Sequence, residues 1–156
     1  MDPKTRDFAR QGRRLRAGEW IAAGFLLGVV LLPEALSPFV AINLTPSLPR
    51  GLYRVIGLEV QPGALVTFCV PPDLVRRHHM AKWIAPGRCP GGKAPLCKRI
   101  TLVGPGQAVC GTVVWQVLRG QVFVRGDSRN SQDSCIFGPV PVTWLRDGVV
   151  PVWTQP

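Results

Sequence analysis

The sequence predicts a mainly β protein: an antiparallel sheet with one small helical insertion. Gly 17 and Pro 16 among 156 residues are high counts for a helical chain and supply many turns. Short Val-rich runs such as "LYRVI", "ALVTFCV", "TVVWQVL" and "QVFVRG" recur between those turns, the composition of half-buried strands. One segment alone, "PPDLVRRHHMAKWI", carries helix signals. The length suffices for one domain with a real core.

The elements follow in order. "LYRVI" (52–56) and "ALVTFCV" (64–70) read as strands parted by a Pro62-Gly63 turn. Residues 71–84 read as a short helix, with prolines at the start, Asp73 in the first turn and basic residues later. "APGRCPGGKAPLC" (85–97) is loop by composition. "KRITLVG" (98–104) is a strand ended by Gly104-Pro105-Gly106, and Arg119-Gly120 predicts a hairpin between 112–118 and 121–126. "GDSRNSQDS" (126–134) is a polar loop. "PVPVTWL" and "VVPVWT" close the chain as edge-type segments, where proline is tolerated.

The charge of +10 is uneven: residues 1–16 hold Lys4, Arg6, Arg10, Arg13, Arg14 and Arg16 against Asp2 and Asp7. Such an arm binds nucleic acid or keeps the N-terminus of a membrane segment in the cytoplasm. "WIAAGFLLGVVLL" (20–32) follows without a polar side chain, which favours the membrane. It is shorter than the ~20 residues that span a bilayer. It fits a signal-peptide core or, extended to Ile42, a kinked or shallow anchor, and Pro38 after Ser37 opposes cleavage. The expected division is a basic cytoplasmic arm over 1–19, an anchor or uncleaved signal segment over 20–42, and an extracytoplasmic domain over 43–156.

Cys69, Cys89, Cys97, Cys110 and Cys135 make an odd set for an oxidising compartment. Cys89 and Cys97 bracket "PGGKAPL", and a disulfide between them is one candidate. A zinc site from these two with His78 and His79 matches no usual ligand spacing, and the histidines read better as an exposed helix face.

Two residues carry the chemistry. In "NLTPSLPRGLY" (43–53), Pro46 and Pro49 stiffen the chain around Ser47, which is a turn residue or a held nucleophile. In "KRITLVG", period 2 puts Lys98, Ile100 and Leu102 on one face. A lysine that points with two aliphatic side chains either snorkels to water or is buried. Burial disfavours its charge, and a neutral lysine can serve as a general base. Serine activated by lysine needs no histidine.

"TPSLPRGLY", "CKRITLVGPG" and "GDSRNSQDSCIFGPVP", in that order, resemble the successive boxes of the type I signal peptidase (S26-type serine peptidase) family. The likeness runs to its TraF-type branch of conjugal-transfer peptidases more than to the housekeeping enzyme. It implies a barrel-like antiparallel fold behind an N-terminal membrane helix, a peptidase domain over 43–156, and a bacterial inner-membrane location with that domain in the periplasm. It implies Ser47 as nucleophile and Lys98 as general base, with the Thr45 hydroxyl and the Ser47 N–H as oxyanion donors. Allowing one missing residue in the last box, Ser131 matches a serine that orients the lysine. Asp133 matches a supporting carboxylate, with Asp127 and Arg129 in the same box. The arginine usual two residues after that carboxylate is here Cys135.

The expected activity is cleavage of a secreted precursor such as a conjugative pilin, with cyclisation of the product as a further outcome. Partners would be that peptide substrate and the membrane; no metal, no organic cofactor and no specific nucleic acid is called for. The rival is a membrane-tethered β-rich binding or secretion-channel component that uses the basic charge without catalysis. One Tyr and six Phe, thinly spread, do not suit single-stranded nucleic acid.

Overall fold

The computed structural model describes residues 20–22, 24–27 and 39–155. The chain divides into two compact units, Met1–Ser37 and Pro38–Pro156. In the first, residues 20–22 and 24–27 are helical, and Trp20, Ile21, Phe25, Leu26 and Leu27 are exposed. Among the described residues no helix is long and apolar enough to cross a membrane. The arm expected over 1–19 and most of the segment over 20–42 lie outside the described residues.

The second unit is mainly β, a curled antiparallel sheet with few helices. Its strands are β1 (Val40–Asn43), β2 (Arg50–Ile56), β3 (Leu65–Phe68), β4 (Pro86–Cys89), β5 (Leu96–Val103), β6 (Gly106–Cys110), β7 (Val113–Val117), β8 (Gln121–Arg125), β9 (Val140–Pro141) and β10 (Leu145–Gln155). Seven form one sheet in the order β1-β2-β10-β3-β5-β8-β9, and β6-β7 form a separate ribbon. β1 and β9 end the strand order, and among the described residues they do not pair with each other. The folded unit also starts earlier than residue 43, because β1 is already paired with β2 from Val40.

Successive buried residues decide where strands go. Val122, Phe123 and Val124 are all buried, so β8 needs cover on both faces and pairs with β5 inside the main sheet. Val113 and Val114 are exposed, and β7 pairs with β6 instead. The turn at Arg119-Gly120 does form, with Gly120 at φ 79° and Gln121 N–H donating to Leu118 O at 3.0 Å. It joins two sheets rather than closing the hairpin expected of it. The true hairpin turns at Gly111, φ 61°.

β10 lies inside the strand order, not at the expected edge. Its pairing with β3 stops at Val149, so Pro151 has a ladder partner only on the β2 side, next to a bulge. That is how a strand inside the sheet holds a proline.

The segment 71–84 forms α1 (Pro72–Arg77) and a 3₁₀ turn (Met80–Lys82), interrupted by His79 at φ 52°. Val75, Met80 and Ile84 from this insertion pack with Val66, Phe68, Ile100 and Val124 in the core. A second short helix, α2 (Ser134–Phe137), sets Phe137 edge-on to Phe68 with ring centroids 6.2 Å apart.

Cys89 bonds to Cys69, not to Cys97, and Cys110 bonds to Cys135. Cys97 is fixed in β5 opposite Thr67. The chain 86–93 meanwhile folds back on itself through bridges from Lys93 to Pro86 and Cys89, which carries Cys89 to the exit of β3. Cys97 keeps a free thiol, and burial raises its pKa to about 11. Alkylation of the unreduced protein should therefore label Cys97 alone once the chain is denatured. Peptide mapping should recover 69–89 and 110–135 as linked pairs; a 89–97 link would overturn the assignment.

Candidate active site

Ser47 sits in the connection between β1 and β2, 8% exposed. The loop is held from several sides. Leu48 is buried, the Tyr53 hydroxyl donates to Pro49 O at 2.6 Å, and Asp127 N–H donates to Ser47 O at 2.6 Å. Asn43, at the end of β1, places its amide nitrogen 3.0 Å from Thr45 O, 3.0 Å from Leu48 O and 3.2 Å from Pro49 O. Its Oδ1 accepts from Thr45 N–H at 3.2 Å and from Thr45 Oγ1 at 2.9 Å. Thr45 Oγ1 also lies 2.9 Å from Ser47 Oγ.

Lys98 enters from β5, opposite Val66 of β3, and is 2% exposed. The expected alternation holds at Lys98 and Ile100, then shifts at a bulge before Leu102. The amine donates to Ser131 Oγ at 2.9 Å. Desolvation lowers the Lys98 pKa to about 8 against weaker upward pulls from Asp133, Cys97 and Asp127. Half of such amines are neutral near that pH.

The loop 126–133 closes the other side. Asp133 is 3% exposed and caps α2, its Oδ1 accepting from Cys135 N–H and its Oδ2 from Gly126 N–H, each at 3.0 Å. Arg125 Nε lies 3.4 Å from the same Oδ2, an ion pair without hydrogen-bond geometry. Asp127 points outward to Arg99 at 3.4 Å. A cavity of about 810 Å³ opens between the two loops. Thr45, Ser47, Lys98, Arg129, Ser131 and Asp133 line it, and Trp83, Ile84, Leu96 and Ile136 give it an apolar wall.

The chain matches no family model and no solved structure. Three curated proteins do match. The probable conjugal transfer protein TraF of Sinorhizobium fredii is 30% identical over 67% of this chain and 71% of its own. The conjugal transfer protein TraF of Agrobacterium fabrum is 31% identical over 72% and 81%, and that of Agrobacterium tumefaciens 31% over 83% and 94%. The chain belongs to the TraF family of conjugal transfer proteins.

In this TraF-family chain six of the expected site residues share one cavity: Ser47, Lys98, Thr45, Ser131, Asp133 and Arg129. Asp127 touches the site through its backbone alone, and Cys89 and Cys97 stand outside it. Asn43, Arg125 and Gly126 are additions that the sequence reading lacks. Asn43 two residues before Thr45 was a readable turn signal. Arg125 was not readable, since its place beside Asp133 depends on how the loop returns to the end of β8. Gly126 is needed for space: a Cβ there would lie 2.7 Å from Ser47 O and against the Ser131 side chain.

Two outcomes are expected. Gly126→Ala should push Ser131 and the Ser47 loop apart, lowering the melting temperature and freeing Lys98 from its serine partner. The depressed Lys98 pKa is also a stability statement. The folded state resists protonation, so the penalty is full below pH ~8 and fades as pH rises toward the unfolded value of ~10.5. Lys98→Met should therefore melt higher than wild type at pH 7, with the gain vanishing near pH 10.5. A melting point lowered at pH 7 would mean that the amine is solvated.

Proposed function

We propose that this protein is a membrane-anchored serine endopeptidase of the signal-peptidase type, with Ser47 as nucleophile and Lys98 as general base. The observation that carries the reading is a lysine 2% exposed, its pKa lowered to about 8, lining the same cavity as a loop-held serine. Neutral Lys98 takes the proton of Ser47 Oγ as the oxygen attacks a peptide carbonyl carbon. The oxyanion is met by the Thr45 hydroxyl and the Ser47 N–H. Lys98 then gives its proton to the leaving amine, and an ester links the substrate to Ser47. Water, or an amine of the product itself, releases that ester; the second route yields a ring.

Ser131 holds the lysine amine in place, and Asp133 holds the loop that carries Ser131. The substrate is a secreted precursor of the conjugation machinery, such as a pilin, since the curated relatives are named conjugal transfer proteins. Two disulfides suit a domain in the periplasm, and the basic arm and apolar run over 1–32 suit anchoring in the inner membrane.

Co-expression with candidate pilin precursors, read by mass spectrometry, tests the reading. Wild type should give a shortened product, and Ser47→Ala and Lys98→Ala should give none. The double variant should be no worse than either alone, because the two residues act in one proton transfer. Lys98→Arg should be equally inactive, as a guanidinium stays protonated. With an isolated substrate, kcat/KM should rise through pH ~8 as Lys98 loses its proton. Turnover in Ser47→Ala, or a rise only near pH 10, would refute the dyad.

A further inference from the structure

Asn43, 8% exposed, grips the Ser47 loop through both ends of its side chain, and the proposed chemistry leaves it unused. Three carbonyl oxygens, of Thr45, Leu48 and Pro49, surround one end of its side chain. Carbonyl oxygens only accept, so the end among them is the amide nitrogen with its two N–H donors, and the opposite end is the oxygen, which accepts from Thr45 N–H. An amide oxygen accepts and never donates. The single hydroxyl proton of Thr45 therefore goes to Asn43 Oδ1, 2.9 Å away.

A consequence follows at the next bond. Thr45 Oγ1 and Ser47 Oγ are 2.9 Å apart, and geometry alone allows either to donate. With the Thr45 proton given to Asn43, Ser47 has to be the donor. In this arrangement the Ser47 proton thus points to Thr45 and not to Lys98, whose amine is turned to Ser131.

We infer that Asn43 is a positioning residue that acts through Thr45. It aims the Thr45 hydroxyl and keeps the Ser47 proton directed at it until an incoming carbonyl oxygen accepts a hydrogen bond from Thr45. The Thr45 hydroxyl then leaves Asn43 for the developing oxyanion, and the Ser47 proton is released toward Lys98. The amide nitrogen end serves the same purpose, since its bonds to Leu48 O and Pro49 O fix the loop on which Thr45 and Ser47 ride. This inference rests on the proposed Ser–Lys chemistry.

The test uses the full chain and p-nitrophenyl acetate, whose acetyl group passes to Ser47 Oγ as p-nitrophenolate leaves and the serine proton goes to Lys98. Release that disappears in Ser47→Ala measures acylation of Ser47 alone. Thr45→Val should slow the first-order acylation step ~10²–10³-fold, the usual loss of one oxyanion donor. Asn43→Ala should slow it by at least ~10-fold, with the half-saturating ester concentration nearly unchanged, the pattern of an interaction made only in the transition state.

The deciding measurement is Asn43→Ala in the Thr45→Val background, where its added effect should shrink to less than ~3-fold because the two residues form one unit. Asn43→Asp, which keeps the Oδ1 acceptor but loses the amide donors, is run beside it with the melting point of each variant: it should slow acylation less than Asn43→Ala, and slowing equal to that of the alanine variant would make Asn43 a loop clamp only. Equal slowing on both backgrounds would make Asn43 a scaffold residue only and overturn the inference. If wild type itself shows no Ser47-dependent release, the peptidase reading falls and this inference with it.

Discussion

A primary amine buried 2% exposed, with a serine hydroxyl as its hydrogen-bond partner, is the constraint around which the second unit is arranged. Water would solvate an ammonium far better than one hydroxyl does, so burial shifts the balance toward the neutral amine. The fold keeps it there by sheet register. Lys98 stands opposite Val66, and the next inward residue of its strand, Ile100, stands opposite Val124, both fully buried. Shifting β5 by one residue would exchange Lys98 for Arg99 at that place, and a guanidinium can neither neutralise nor fit.

The carboxylates nearby are arranged so as not to undo this. Asp133 is close enough to raise the Lys98 pKa, yet desolvation outweighs it. Its two oxygens are already engaged by the N–H groups of Cys135 and Gly126 and by Arg125. Arg99 and Arg125 face each other across β5 and β8, a like-charge pair, and each has a carboxylate of the 126–133 loop beside it. The Arg99–Asp127 pair is half exposed and contributes little to stability. Their joint effect is to balance charge around the lysine while leaving the lysine itself without a direct ion pair among the described residues.

What was legible in the sequence was local. Pro46 and Pro49 around Ser47, and the period of two that sets Lys98 with Ile100, are properties of a few neighbouring residues, and the structure keeps both. Strand pairing was less so: a turn at Gly120 could be read, but that β7 turns away to β6 depends on which valines find cover. Cysteine pairing failed for the same reason. Nearness in sequence suggested 89 with 97, while the fold-back at Lys93 and the ladder position of Cys97 decide otherwise. Arg125 beside Asp133 is likewise a product of loop return that no spacing rule encodes. Asn43 stands between, since its type and offset marked a turn but not the two-ended grip it exerts.

α2 shows how the positioning is achieved with little local structure. Four residues make one turn, far short of the length at which a helix is stable alone. Nearly every residue at this turn is therefore tied elsewhere. Asp133 caps it, the Ser134 hydroxyl accepts from Val124 N–H at 3.0 Å, Cys135 is bonded to Cys110 of the ribbon, and Phe137 packs on Phe68. Cys135 is spent on the disulfide, and Arg125 supplies a positive charge beside Asp133 from the neighbouring strand. Separating the two tasks makes physical sense. A covalent bond fixes position without regard to pH or salt, whereas a partly exposed ion pair adjusts charge and is screened. Ser131, and through it the lysine amine, is thereby held by packing and a covalent tie, so the site's geometry does not depend on the charges that the site itself has to keep in balance.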